Sequence, residues 1–588
     1  MFTTRPELRG TYGMVASTHW LASAAGMGIL ERGGNAFDAA VTAGFVLQVV
    51  EPHLNGPGGE VPMLLYGAER DDVVVVCGQG PAPAAAQPAR FAELGLDLIP
   101  GEGLLPACVP GAFDAWMLLL RDFGTLGLAD VMEPAIAYAE RGYPLVANIR
   151  TAVEGIEELL REEWTTSAEC YLPGGELPRA GELFRNRALA DTYRRVVTES
   201  ERAASTREGR IDAARDAFYR GWIAEAIVGW LEDAEVMDSS GERHRGLLSG
   251  DDLARWEATL EAPVTLDYHG HTVCKTGPWG QGPVMLQQLA LLAGFDLEAM
   301  GPGPDYVHTV VESAKLAFAD REAWYGDPDF TDVPLAALLS AGYADERREL
   351  IAETASDSLR PGTVEGAEPR LPPLAQATAG SATSEPTLAL FRHDLGDTCH
   401  LDVADRHGNL VSATPSGGWL HGSPLVPGLG FCLGTRAQMF WLTEGLPNSL
   451  EPGKRPRTTL TPTLVLRDGA PYMAMGTPGG DMQDQWSLAM LLGHLHFGLD
   501  LQAAIDAPMF HTNHLASSFH PRELRLREVE IEERAGEATL GELRRRGHDV
   551  LVREPWSLGR VSAVAREPSG ILKAGANPRG MQGYAVGR

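Results

Sequence analysis

Two periodicities alternate along this chain, one helical and one extended. Residues 14–50, MVASTHWLASAAGMGILERGGNAFDAAVTAGFVLQVV, predict a short strand ending at a Ser17-Thr18 cap and a small-residue helix from Leu21 to Arg32. Gly33-Gly34 stops that helix, and Asn35 opens a second, Ala- and Val-rich one. The loop Glu51-Pro-His-Leu-Asn-Gly-Pro-Gly-Gly59 meets neither GxxxxGK[ST] nor GxGxxG, so it reads as backbone packed where side chains do not fit. Strands follow at Met63–Tyr66 and Val73–Cys77, then helical patterns over 111–141 and 145–235. The stretch YVHTVVESAKLAFADREAWYG carries Val307, Val310, Val311, Ala314 and Phe318 as a core-facing stripe.

At 353–390 the pattern disappears. The segment is rich in Pro, Gly, Ser, Thr and Ala, which predicts a mobile linker. It ends at a hairpin: Cys399, Leu401 and Val403 alternate with His400, Asp402 and Ala404, and a turn at Asp405–Asn409 leads into Leu410–Thr414. Further on, the strand-like Tyr472–Met475 runs into the turn Gly476-Thr-Pro-Gly-Gly480.

The length of 588 residues allows several domains or one large α/β body. A net charge of −30 without a basic stripe argues against nucleic-acid and anionic-membrane partners. Only Lys275, Lys315, Lys454 and Lys573 among the 49 cationic residues are lysines. Six scattered cysteines without a CxxC fit a reducing compartment. No secretory pattern opens the chain, and no apolar run of about 18 residues appears, so the expected location is cytoplasmic.

The junction at Asp397-Thr398-Cys399-His400 is the main chemical candidate. A cut before Thr398 would free an α-amine with a pKa of about 7.7–8.0, able to take the proton of the same residue's hydroxyl. The Gly476–Gly480 turn offers backbone N–H groups for an oxyanion. Lys454-Arg-Pro-Arg-Thr-Thr-Leu-Thr-Pro-Thr463 is either the floor of a polar pocket or a solvated loop. Cys399 and His400 are neighbours on a strand and point apart, so they make a poor thiol–base pair. His494-x-His496 with His511 and His514 lacks the spaced carboxylate or Cys of a metal site, and no metal is expected.

GMVASTHWLASAAGMGILERGGNAFDAAV, VVEPHLNGPGG, VPGAFDAW, KLAFADREAWYGDPDF, DTCHLDVADRHGNLVSAT, GKRPRTTLTPTLVLRDG and GTPGGDMQDQ together resemble the γ-glutamyltransferase family of N-terminal-nucleophile hydrolases, over nearly the whole chain. The resemblance implies a four-layer αββα sandwich, no metal or organic cofactor, and one inactive chain that cuts itself before a threonine. The two products, a large fragment 1–397 with a mobile tail over about 353–397 and a small fragment 398–588, would stay associated. A homodimer is left open. Carried over by position, the nucleophile is Thr398, the supporting hydroxyl is Ser416, the hydroxyls on the substrate carboxylate are Thr458 and Thr459, and the oxyanion glycines are Gly479 and Gly480.

The recognition positions depart from the family. Gln79 stands where an arginine clamps the γ-glutamyl carboxylate, Met439 where an acidic residue meets the ammonium, and Gly418 where an Asn lies. That pattern is similar to the oxamate amidohydrolase and cephalosporin-acylase-like branch. The expectation is an amidohydrolase or acyltransferase acting on a small carboxylate-bearing amide, with Arg436 either contacting that carboxylate or making an outward salt bridge. The alternatives are a true γ-glutamyl enzyme with rearranged contacts and a non-catalytic interaction protein.

Overall fold

In the computed structural model, which describes residues 2–376 and 398–588, two seven-stranded antiparallel sheets lie face to face between two helical layers. The first sheet runs in the order Tyr584–Gly587, Gly13–Ser17, Leu401–Asp405, Leu410–Ala413, Val61–Gly67, Asp72–Gly78, Thr259–Glu261. The second runs Leu8–Gly10, Leu572–Ala576, Ser562–Arg566, Ala470–Gly476, Thr463–Arg467, His271–Lys275, Val264–Tyr268. Both sheets interleave strands from before residue 377 with strands from after 397. Neither stretch completes a sheet alone.

The period-2 pattern explains the layering. Along Leu401–Asp405, Leu401 and Val403 join the core formed with helices Trp20–Glu31 and Ala36–Val50, while Ala404 faces the other sheet. The inter-sheet core is made largely of small residues, including Ala16, Ala404, Ala474, Ala574 and Ala576, which let the sheets approach closely. The outer face of the second sheet packs Val465, Met473 and Met475 on helices Pro283–Leu292, Pro304–Trp324 and Gln483–Phe497. This is the αββα order.

Local signals held in places and failed in others. Asn35 caps the Ala36–Val50 helix through a capping box with Asp38. The preceding helix starts at Trp20, and its cap is His19, whose Nδ1 accepts from Leu21 N at 3.1 Å, rather than Ser17-Thr18. Helix Pro304–Trp324 has no solvated face: every residue from Tyr306 to Trp324 is buried. Its polar face is covered by residues 355–364 of the segment expected to be mobile. Ser356 N donates to Glu312, Gly362 N donates to Asp320 Oδ1 at 2.7 Å, and Trp324 Nε1 donates to the Gly362 carbonyl at 3.1 Å. Buried backbone needs such partners, and the helix's carboxylates provide them. Residues 377–397 of that linker, Asp397 among them, lie outside the described residues.

Candidate active site

Thr398 lies at the start of the chain's return into the first sheet, paired antiparallel with Ser416. Its side chain is fully buried, and its Oγ1 lies 3.2 Å from Ser416 Oγ. Ser416 is held by the glycine loop. Its carbonyl accepts from Glu60 N at 2.8 Å, and its own N–H donates to the Glu60 carbonyl at 3.0 Å. An added Cβ at Gly59 would sit 2.0 Å from the Ser416 carbonyl oxygen, and one at Gly58 would sit 2.1 Å from the Cys432 carbonyl oxygen. The loop's glycines therefore serve close backbone approach.

Behind Ser416 stands Arg436, which is inward and 1% exposed, not the outward salt bridge weighed above. Its Nη2 donates to Ser416 Oγ at 2.8 Å, its Nε donates to Glu60 Oε1 at 2.5 Å, and its guanidinium lies over the Trp419 and Phe519 rings. Nη1 has no hydrogen-bond partner among the described residues. Glu60 is a residue that motif reasoning missed. Its only sequence signal is a carboxylate directly after the glycine-dense loop.

Cys399 turns the other way. Its thiol donates to Glu51 Oε2 at 2.9 Å, and Thr18 Oγ1 donates to the same oxygen at 2.6 Å. Burial, then the Glu51 carboxylate, push the thiol well above its ordinary pKa, so it stays protonated. His400 lies between the sheets, within 2.9 Å of both Asp402 Oδ1 and Thr414 Oγ1, while Asp402 Oδ2 accepts from Ser562 Oγ at 2.8 Å. The two neighbours do not form a thiol–base pair.

The Gly476–Gly480 turn leaves the second sheet beside this strand. Met475 O accepts from Ser412 Oγ at 3.0 Å, and a Cβ at Gly476 would strike the His400 ring. Gly479 and Gly480 have φ of 123° and 49°, and a Cβ on Gly479 would lie 2.2 Å from Trp486 Cζ3. Conformation favours glycine at both positions, and at Gly479 space demands it as well. Asp481 anchors the turn from behind by accepting from Ser518 N at 2.9 Å and Ser518 Oγ at 2.6 Å, and by pairing with Arg321.

The 454–463 loop is not a solvated one: Lys454, Arg457, Thr458 and Thr459 are all buried. Thr458 N donates to the Trp279 carbonyl at 3.0 Å, and its own carbonyl accepts from Gln281 N at 2.9 Å. Thr459 Oγ1 is left without a partner. Gln79 donates to Gly80 O at 3.2 Å, and its Oε1 is buried and unpartnered. Met439 packs with Trp419 and Phe519 as a small apolar cluster. The described geometry thus joins Thr398, Ser416 and Arg436 directly.

The histidines singled out as possible ligands have other partners. His494 Nε2 is 2.5 Å from the Tyr472 hydroxyl, and His496 Nε2 is 2.8 Å from that of Tyr268. A different trio, His308, Glu312 and His548, converges across the fold. There Glu312 already holds Lys315 at 2.6 Å and Arg360 at 3.1 Å, so its charge is taken.

Comparison with known proteins agrees with this architecture. Residues 22–587 match the Gamma-glutamyltranspeptidase family. The solved structure named LmbA2991HD is 58% identical, with 100% of each chain covered and a TM-score of 0.95. The cephalosporin acylase from Bacillus halodurans is 29% identical over 100% of this chain and 97% of its own, with a TM-score of 0.83. The glutathione hydrolase-like YwrD proenzyme of Bacillus subtilis is 33% identical over 98% of this chain and 99% of its own. Names among other relatives include acylase and oxamate amidohydrolase proenzymes. A sandwich completed only by strands from both ends of the chain, matched over nearly its full length, places the protein in the gamma-glutamyltranspeptidase family of amidohydrolases and acyltransferases.

Proposed function

We propose that the chain cuts itself between Asp397 and Thr398, and that Thr398 then serves as the nucleophile of an amidohydrolase or acyltransferase. The observation that carries this reading is the buried Thr398–Ser416 hydroxyl pair backed by the Arg436 cation. Arginine only donates, so Ser416 Oγ accepts from it, which makes the Ser416 hydroxyl a stronger donor toward Thr398 Oγ1. That polarity favours negative charge on Thr398 Oγ1 as it loses its proton to the freed α-amine. Attack on an amide carbonyl gives an acyl-enzyme and releases the amine, and water or a second amine then takes the acyl group. The Gly479 and Gly480 N–H groups are the proposed oxyanion donors, and Thr458 and Thr459 are the proposed substrate contacts. Interleaving of strands from both fragments in each sheet supports their staying associated after the cut.

The preferred substrate is a small carboxylate-bearing amide other than a γ-glutamyl compound. Gln79 and the apolar Met439 cluster supply neither the cation nor the anion that a glutamyl zwitterion needs. A γ-glutamyl carboxylate using Arg436 instead would be limited to Nη1, because Nε and Nη2 already hold Glu60 and Ser416.

Intact-mass measurement of the purified protein tests the first part. Fragments 1–397 and 398–588, summing to the 63.2 kDa chain plus one water, are expected. A wild type as whole as Thr398→Ala would refute it. Turnover of γ-glutamyl-p-nitroanilide beside oxamate and glutaryl amides tests the second part, and strong γ-glutamyl turnover would reverse the preference.

A further inference from the structure

Five charged side chains are buried together behind the Gly476–Gly480 turn: Arg321, Arg457 and Arg522 with Glu322 and Asp481, none more than 2% exposed. Glu322 accepts from Arg457 Nη2 at 2.6 Å and from Trp441 Nε1 at 2.6 Å. Arg321 pairs with Asp481 and approaches Glu322 at 3.7 Å. Arg522 Nη2 is 3.6 Å from Glu322 Oε1, beyond hydrogen-bond reach. Among the charges acting on Arg522 are the other four of this group, and the five side chains together carry three cations against two anions.

The surplus falls on Arg522. Its Nη1 donates to the Met439 carbonyl, and its guanidinium lies 3.7 Å from the Trp441 ring centroid. Among the described residues neither Nε nor Nη2 has a hydrogen-bond acceptor. A buried donor left unmade carries its full desolvation penalty, which is larger still on a charged group. A guanidinium does not shed its proton in the ordinary range, and buried charges are otherwise paired. Water satisfies donors but does not cancel charge. An anion does both.

We propose that Arg522, backed by Arg457 and Arg321, binds one monovalent anion, either a free halide or the carboxylate of the substrate. The site adjoins the Trp419–Met439–Phe519 cluster beneath Arg436. Arg522 N donates to the Phe519 carbonyl at 2.7 Å, its Nη1 holds the carbonyl of Met439, and both of these side chains pack with Trp419 under Arg436. It also reaches the Gly480 turn through Arg321 and Asp481. Burial holds Arg522 at about 9, below its ordinary value, as expected of a cation short of counter-charge.

The test reads binding in the uncut Thr398→Ala chain as well as in wild type, so it does not depend on Thr398 being a nucleophile. Chloride, formate and glutarate are titrated at constant ionic strength against a bulky sulfonate, and thermal unfolding is followed. A saturable rise in midpoint with all three anions, lost in Arg522→Gln, supports a free-anion site. A rise with the carboxylates alone, lost in the same variant, supports a substrate-carboxylate site. No saturable rise, or an equal rise in Arg522→Gln, overturns the proposal. Should Arg522→Gln not fold, wild-type crystals soaked in bromide and, separately, in formate decide: either anion within hydrogen-bond distance of Arg522 Nε or Nη2 supports it, and a position empty in both overturns it.

Discussion

Thr398 and Cys399 are consecutive, both are buried, and both carry a nucleophilic atom, yet the fold gives them opposite electrostatics. The Thr398 hydroxyl meets Ser416, whose own oxygen accepts from the Arg436 cation. The Cys399 thiol meets Glu51, a carboxylate. A cation two hydrogen bonds away favours an oxyanion, whereas a carboxylate in contact disfavours a thiolate. Intrinsic chemistry would rank the cysteine first. The sign of the charge behind each partner reverses that ranking.

The comparison breaks most sharply at the nucleophiles themselves. Thr398→Ala should abolish self-cleavage and leave a chain of 63.2 kDa, while Cys399→Ala should still be cut, both read by mass spectrometry. Next comes Arg436→Met, which takes the Arg436 cation away from the buried Glu60 carboxylate. A stability loss of about 3–5 kcal/mol is expected by denaturant titration. Adding Glu60→Gln should restore most of the stability but not the rate of cleavage, separating the charge's effect on Thr398 from its structural effect. Ser416→Ala should slow turnover on the order of 10²-fold with the chain still folded, as for loss of one preorganised donor, and Ser416→Thr should retain it.

The smallest effect concerns the thiol side. Burial raises the Glu51 pKa above its ordinary value, against the lowering pull of its bonds from Cys399 and Thr18. A folded pKa above the unfolded one contributes stability that is present at low pH and lost as pH rises through the folded value. Glu51→Gln removes that slope, so its unfolding midpoint should gain on wild type progressively from pH 4 upward. Alkylation of Cys399 should quicken only slightly in this variant, because burial is the first cause of the thiol's raised pKa.

Several of these partners were legible along the chain and others were not. The hairpin after Thr398, the opposite facing of Cys399 and His400, and the glycine demand at Gly479 and Gly480 all follow from local rules of period and backbone conformation. Arg436 was visible as a candidate, but its direction was open. A single side chain on a short 3₁₀ turn, Arg436–Met439, carries no periodicity that tells inward from outward. Glu60 and Glu51 were invisible as partners of Arg436 and Cys399, because each pair lies more than 300 residues apart in sequence. The Pro304–Trp324 helix, buried from Tyr306 onward, misled the pattern for a related reason. Its polar residues are satisfied by a neighbouring segment that composition alone reads as loose.

The sequence by itself determined which residues are strands, where the tight glycine turns must fall, and that a threonine follows directly on a low-complexity segment. These depend on neighbours within a few positions, where dihedral preference and side-chain period act. Only the tertiary structure decided that Arg436 faces Ser416, that Cys399 faces Glu51, and that Arg522 shares Glu322 with Arg457 and keeps two unmade donors among the described residues. Charge acts through space in a dry interior, and the fold alone sets which charges are close there.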